Sequence, residues 1–314
     1  MLAVATKTML NPMNRILSTG QRRAHGALRL TLALALSLLA MLLAPVTSRA
    51  ADQPSLSVMT FNLRYASMSG ANAWPDRLPV MRDCIRESAP DLIGTQEGLY
   101  HQLKDLAREL PEFQWIGTGR DGGSRGEFMA IFYRPDRFEP IEFDHFWLSD
   151  TPNVVASTTW GNSNRRMVTW VKFRDLRTDV SFYFWNTHFD HQIQEARFKS
   201  AQLVLERVNA LKTDLPVLLV GDFNATAGNN PAYDVLVNDR AFTDTWSSAA
   251  TRRGDLVKTF HGFRGPTAGD DRIDWILMRG PVVSLDTEIL TCQRNGQYPS
   301  DHFPVVATLR WTSR

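Results

Sequence analysis

Six times in this chain a short strand-like segment ends in an acid, an amide or a histidine. The segments are LSVMTFN to Asn62, LIGTQE to Glu97, FYFWNTH to His188, PVLLVGDFN to Asp222 and Asn224, RID to Asp274, and SDH to Asp301 and His302. Apolar strands build a core, and their polar ends gather at one rim of it, where loops and solvent meet. A core strand has no structural use for acids and amides at that rim. A divalent cation and a phosphate do. Hard cations take oxygen ligands, and Mg²⁺ takes one or two carboxylates together with substrate oxygens. The pattern points to metal-assisted hydrolysis of a phosphate ester.

The periodicities predict a β-rich chain broken by a few helices. Leu56 to Leu63 is apolar on both faces, as an interior strand is. Asp76 is placed as the cap of a helix ending at Ser88, with Pro79 in its first turn and Pro90 beyond its end. Leu92 to Gln96 reads as a second strand. Leu99, Leu103, Leu106 and Leu110 mark an amphipathic helix stopped by Pro111. Strands follow at 113–118, 128–133, 138–147, 167–173 and 180–186, with a glycine- and charge-rich loop at 119–126. A helix is predicted over 192–212, a buried strand over 217–220, and late strands near 273–278, 282–291 and 303–309. Strands in tandem favour two packed sheets over an alternating βα barrel.

The first 50 residues read as a separate object. They hold six basic residues (Lys7, Arg15, Arg22, Arg23, Arg29, Arg49) and no acid, and Leu30 to Ala44 is an unbroken run of Leu, Ala, Met, Thr and Ser. That run is short for a membrane span, and Ser48-Arg49-Ala50 supplies a cleavage site. Residues 1–50 are therefore expected to be a secretory signal peptide cut near Ala50/Ala51, with 51–314 as one catalytic domain and a periplasmic or extracellular destination. A retained anchor is the alternative, and the true initiator, Met1, Met9 or Met13, is left open. Taking six from 35 basic residues leaves 29 against 33 acids, a net of −4 for the remainder. Such a body lacks the field that draws proteins onto nucleic acid. Cys84 and Cys292 are the only cysteines. They are read as two buried unpaired thiols, with pairing open if the protein is exported.

The segments TFNLR (60–64), QE (96–97), NTHFDH (186–191), GDFN (221–224), RIDWIL (272–277) and SDHFPV (300–305) resemble, in order, those of the endonuclease/exonuclease/phosphatase superfamily with the deoxyribonuclease-I-like fold. GEF (126–128) and RRMVTW (165–170) are similar to a secreted bacterial branch of it. The resemblance implies an α/β (α+β) four-layer sandwich, two packed mixed β-sheets flanked by helices on both outer faces. It implies Mg²⁺ or Mn²⁺ as cofactor, with Glu97 as principal metal ligand and Asn62 and Asp301 beside it. Asp222 is expected to activate the attacking water and Asn224 to hold it in line. His188 and His302 are expected to stabilise charge on the phosphoryl group, with Asp274 fixing the tautomer of His302. Asn62 and Arg166 are the expected substrate contacts, Arg166 through its forked donors.

Several readings stay open. Glu127 is either a second carboxylate near the metal or a surface charge, and Arg166 either a phosphate clamp or a surface residue. Asp190 and His191 have no settled role. Trp74, Trp147, Trp160 and Trp170 are assigned to core rather than ligand. The expectation is a divalent-metal-dependent phosphoesterase acting by in-line water attack. Nucleases, sphingomyelinases and phosphoinositide phosphatases share these residues and differ in loops. A non-catalytic binding module is the rival outside enzymology. The expected partner is a phosphate-ester substrate of unknown type. Nucleic acid is not favoured, no membrane anchor remains after cleavage, and a monomer is expected.

Overall fold

The computed structural model describes residues 54–237, 241–254 and 256–312. The expected signal peptide lies outside the described residues. Among them the order is β1 (Leu56–Asn62), α1 (Trp74–Ser88), β2 (Leu92–Gln96), β3 (Gly98–Leu99), α2 (Tyr100–Glu109), β4 (Gln114–Ile116), β5 (Glu127–Phe128), β6 (Ile131–Tyr133), β7 (Phe138–Trp147) and β8 (Met167–Asp175). It continues with β9 (Val180–His188), α3 (Gln194–Ala210), β10 (Val217–Asp222), α4 (Pro231–Val237), β11 (Thr243–Asp244), α5 (Thr245–Ser248), β12 (Thr251–Arg253), β13 (Asp274–Arg279), β14 (Val282–Ile289) and β15 (Val305–Trp311).

One sheet runs β12-β14-β15-β1-β2-β6-β4 and the other β11-β13-β10-β9-β8-β7, while β3 and β5 form a small ribbon. In each large sheet the two central strands are parallel, β1 with β2 and β9 with β10, and their outer neighbours are antiparallel. Side chains alternate between the faces of a strand, so β1 sends Leu56 and Val58 one way and Met59 and Phe61 the other. The first set joins Leu92, Phe182, Phe184, Leu218, Val220 and Ile276 in a core between the sheets. The second packs with Trp74, Met81 and Ile85 of α1 and Leu103 and Leu106 of α2. On the far side Trp185, Leu219 and Trp275 pack with Ala201, Val204 and Val208 of α3. The result is the four-layer α/β sandwich, helices outside and two mixed sheets within. Among the described residues, no helix is long and apolar enough to cross a membrane.

The inner-face positions change character along the strands. Leu56 and Val58 lead to Thr60 and Asn62, Leu92 leads to Gln96, Phe182 and Phe184 lead to Asn186 and His188, and Leu218 and Val220 lead to Asp222, all of them buried. Each strand is thus apolar at its start and polar at its carboxyl end, so the layer between the sheets turns into a site at one rim. Just below that rim, Gln96 Nε2 donates to Asn186 Oδ1 at 2.7 Å, and Asn186 Nδ2 donates to the carbonyls of Thr95 (2.8 Å) and Ala130 (2.9 Å). This joins the two sheets across the core. Gly94 makes room for it, since a Cβ there would lie 2.3 Å from Val220 and 3.0 Å from the Asn186 side chain.

Three expectations are corrected. The first helix starts at Trp74, with Pro75 at its beginning and Asp76 inside the first turn rather than capping it. Pro79 then sits in the second turn. The apolar Trp74, which packs inward, starts the helix earlier than polar punctuation suggests. The segment read as one strand over 128–133 is split, with Glu127–Phe128 pairing with Gly98–Leu99 and Ile131–Tyr133 pairing with β2. Cys84 and Cys292 are joined in a disulfide, because the chain leaving β14 passes over α1. Sequence spacing carries no trace of that crossing.

Candidate active site

The polar strand ends line a cavity of about 500 Å³. Glu97, His188, Asp222, Asn224, Asp301 and His302 are in its wall, together with Arg64, Tyr65, Arg120, Glu127, Asn164, Arg166, His191, Phe260 and Ile273. Asn62 and Asp274 are buried beside it and reach it through other groups.

Asp222 is at the centre. Its Oδ2 accepts a hydrogen bond from Asn62 Nδ2 at 2.9 Å and lies 3.3 Å from His188 Nε2 and 3.7 Å from His302 Nε2. Its Oδ1 accepts from the Asn224 N–H at 3.0 Å. That turn puts Asn224 at φ 48°, in the left-handed region that Asn tolerates better than most residues. Asn224 Nδ2 reaches both His188 Nε2 (3.0 Å) and the Phe189 carbonyl (3.1 Å). Burial, then Asp274, lifts Asp222 to about 7, while His302 and the Asn62 hydrogen bond pull the other way.

The two histidines are in opposite states. Burial, then the Arg166 and Arg120 charges, hold His188 well below the usual imidazole range, so it is neutral. His302 Nδ1 lies 3.0 Å from Asp274 Oδ2. Burial opposes its charge, but Asp274, Asp222 and Asp301 outweigh it and raise His302 to about 10. The site therefore presents an imidazolium and an imidazole on either side of one carboxylate.

Glu97 has a backbone φ of 61° and Arg64 one of 51°. Both are in the left-handed region, which is costly for such residues and concentrates at functional sites. Alternation along β2 would turn residue 97 toward the helices. The left-handed turn instead puts its carboxylate in the cavity wall, with Oε1 accepting from Asn62 Nδ2 at 3.1 Å and Oε2 from the Tyr65 N–H at 3.3 Å. Arg64 stands between Glu97 Oε2 (3.8 Å) and Asp301 Oδ2 (3.7 Å). The side chains of Asp301 and His302 diverge, one toward Arg64 and the other toward Asp222 and Asp274. Burial raises Asp301 above the usual carboxylate range, His302 opposing and Glu97 adding to it.

The same cavity also carries residues left open by sequence. Arg166 is only 3% exposed, so it is not a surface residue. One terminal nitrogen contacts His191 Nδ1 at 3.0 Å, and its Nε lies 3.7 Å from Asp190 Oδ2. Asp190 itself accepts the Gln192 and Ile193 N–H groups (2.9 and 2.7 Å) and shapes the entry to α3. Glu127 pairs with Arg120 through two contacts of 2.7 and 2.8 Å. Burial lifts Glu127 to about 7 against the pull of Arg120. Of the four tryptophans, Trp74 and Trp147 are buried, and all four lie outside the cavity wall. Sequence reasoning missed Arg64, Tyr65, Arg120, Asn164 and Phe260. Arg64 had a signal, since it closes TFNLR two residues after Asn62. The others arrive on loops whose paths the sequence does not reveal.

The donor set suits a hard divalent cation. Carboxylates of Glu97, Glu127, Asp222 and Asp301 face one cavity, and ligand atoms of Glu97, His188 and Asp222 lie within 4.8 Å of one another, as do those of Asp222, Asp274 and His302. Crowding so many buried acids is unfavourable unless cations offset them. Oxygen-rich sets select Mg²⁺ or Mn²⁺ over softer metals.

Residues 59–302 match the Endonuclease/Exonuclease/phosphatase family. The chain is 35% identical to an endonuclease/exonuclease/phosphatase family protein from Bacteroides thetaiotaomicron of known structure, with a TM-score of 0.79 over 83% of this chain and 100% of that one. It is 36% identical to a mannosyl-6-phosphatase from Bacteroides thetaiotaomicron VPI-5482, with a TM-score of 0.76 over 82% of this chain and 100% of that one. An uncharacterized protein, L388, of Acanthamoeba polyphaga mimivirus is 26% identical over 80% of this chain and 97% of its own length.

Proposed function

The chain belongs to the Endonuclease/Exonuclease/phosphatase family, whose members are in general hydrolytic phosphoesterases, and from that premise we propose that it is an exported, divalent-metal-dependent phosphoesterase acting by in-line attack of water. The observation that carries this reading is Asp222 Oδ2, approached by Asn62, His188 and His302 from three sides while facing the cavity.

Each residue has a role that follows from its geometry. Asp222, near 7, is poised to take a proton from water held beside Asn224. Asn62 keeps the carboxylates of Glu97 and Asp222 apart and oriented by donating to both. His302, charged through Asp274, offers Nε2 to a phosphoryl oxygen or a departing alkoxide. Arg166 adds a guanidinium that is already ordered by His191. Neutral His188 accepts from Asn224 Nδ2 through Nε2 and so holds that amide beside Asp222. Glu97, with Asn62 behind it, would hold the cation beside Asp222, whose ligand atom lies within 4.8 Å of its own, while Asp301 stands across Arg64 in the same wall. When bound, the cation supplies Lewis-acid stabilisation of the developing phosphoryl charge.

The substrate class we propose is a phosphate monoester. The likeness to a mannosyl-6-phosphatase along that protein's whole length makes sugar phosphates the first class to assay. The net of −4 over residues 51–314 argues against a general nuclease. The Cys84–Cys292 bond supports export, since disulfides persist in oxidising compartments.

The test is a substrate panel with Mg²⁺ or Mn²⁺ present: hexose phosphates, nucleotides, a phosphodiester dye, sphingomyelin and DNA. Faster release of phosphate from monoesters than cleavage of any diester supports the reading. Cleavage of DNA with no release from monoesters overturns it.

A further inference from the structure

Arg77 stands on α1, outside the cavity wall, and is fully buried at 0% exposure. All five N–H groups of its guanidinium meet main-chain carbonyls. Nε donates to Asn72 O at 3.0 Å, Nη1 to Leu63 O at 2.7 Å and Pro299 O at 2.8 Å, and Nη2 to Arg64 O at 2.9 Å and Tyr65 O at 3.3 Å. Burial pulls the group down to about 10, against Asp301 and Glu97, so it stays charged at neutral pH.

The acceptors belong to two segments that the active site needs. Leu63, Arg64 and Tyr65 follow Asn62 directly, and they include the left-handed Arg64. Pro299 precedes Ser300-Asp301-His302. The segments are more than 200 residues apart in sequence, and Nη1 bonds to both of them. A third link joins them nearby, where Ser300 Oγ donates to the Asn62 carbonyl at 2.6 Å. Seven residues after Arg77, on the same face of the helix, Cys84 is bonded to Cys292 in the chain that leads to Pro299. Core packing alone does not explain a buried guanidinium, since burying a charge without a carboxylate partner is costly. An apolar side chain could fill the space but would remove all five donors, and the nearby Gln102 Nε2 reaches only Arg64 O (3.0 Å) and Leu63 O (3.5 Å), not the Pro299 segment.

We propose that Arg77 is a positioning residue, a pin on α1 that fixes the separation between the Asn62–Tyr65 segment and the Asp301–His302 segment. Through it the Glu97–Asn62 wall and the Asp301–His302 wall keep the spacing at which they act together. A lysine cannot replace it, because an ammonium has three donors and no planar fork. The activity part of this inference rests on the phosphoesterase reading; the structural part does not.

The experiment compares wild type with Arg77→Lys at a temperature where both are fully folded by circular dichroism. Two quantities are read: steady-state kinetics on a phosphate monoester, and amide hydrogen exchange by mass spectrometry. The expected result is kcat lower by about tenfold or more with KM within about threefold, because small misplacements tax the transition state more than binding. Exchange should quicken at 62–65 and 300–303 together while β9 and β10 stay protected. Unchanged kcat with unchanged local exchange overturns the proposal. So does exchange that quickens evenly over the whole protein, which marks a stability role only. If Arg77→Lys does not fold, Arg77→Gln, which keeps a planar group with two donors, is read by the same two measurements, and the same outcomes decide. Should wild type hydrolyse no phosphate ester, the functional reading fails while the exchange comparison still decides the role of Arg77.

Discussion

Asn62 and Asp222, 160 positions apart and on different sheets, meet through a 2.9 Å hydrogen bond from Nδ2 to Oδ2. The same Nδ2 also donates to Glu97. One amide therefore sets the distance between the proposed base and the proposed metal ligand, and the sheets on either side supply the rigidity. A site built on strand ends rather than loops holds its geometry through many small contacts beneath it.

Asp222→Asn and His302→Ala should each lower turnover by about 10² to 10⁴, the usual contribution of such groups. Glu97→Gln should weaken metal binding measured by titration calorimetry, whereas His302→Ala should leave it nearly intact. Normal metal binding in Glu97→Gln would remove Glu97 from the assigned ligands.

The Asp274–His302 pair predicts an alkaline limit. The pKa of His302 in the fold, about 10, lies above its unfolded value of about 6.5. Its contribution to stability is complete below the unfolded value and is lost as pH rises through about 10. Activity that depends on the imidazolium should fall over the same upper range. Asp274→Asn removes the strongest influence that raises His302, so the alkaline limb of the kcat profile should move to lower pH. An alkaline limb unmoved by that substitution would separate Asp274 from His302.

Much of the site was legible because β-strands have a period of two. Counting from Leu56 or Phe182 puts Asn62 and His188 on the face that their sheets share, and the apolar-to-polar change along that face is written in the sequence. Glu97 was legible as a residue but not as a wall, since its position depends on a left-handed turn that no side chain of its type announces. Arg77 looks like any charged residue on an amphipathic helix. Its burial is decided by two loops that arrive from opposite ends of the chain. The Cys84–Cys292 bond was hidden for the same reason, and so was the two-stranded ribbon that brings Glu127 to the cavity, where Arg120 meets it from its loop.

The rim opposite the site is held by charge. Arg137 contacts Asp91 Oδ2 at 2.6 Å and Asp175 Oδ2 at 3.1 Å, and Trp311 Nε1 donates to the same Asp175 oxygen at 3.3 Å. Arg137→Met would leave the buried Asp175 and the half-buried Asp91 without a cation, which costs roughly 3–5 kcal/mol. Urea unfolding should show a loss of that order, with kcat unchanged where the variant is folded. A loss below about 1 kcal/mol would mean that the acids find other partners or take up protons.

Export is checked by sequencing the amino terminus of protein recovered from the periplasm or medium. It should begin near Ala51. Cytoplasmic protein with residues 1–50 intact would contradict the proposed signal peptide and weaken the case for a formed Cys84–Cys292 bond in the cell.

The central claim is that this arrangement of acids, amide and imidazoles hydrolyses phosphate esters with a divalent cation. The most direct measurement is phosphate release from a sugar phosphate by purified protein stripped with EDTA and then titrated with Mg²⁺ or Mn²⁺. Activity should disappear on stripping, return in a saturable way with the added ion, and fail to return in Glu97→Gln at the same ion concentration. Full activity in the presence of EDTA would contradict the account.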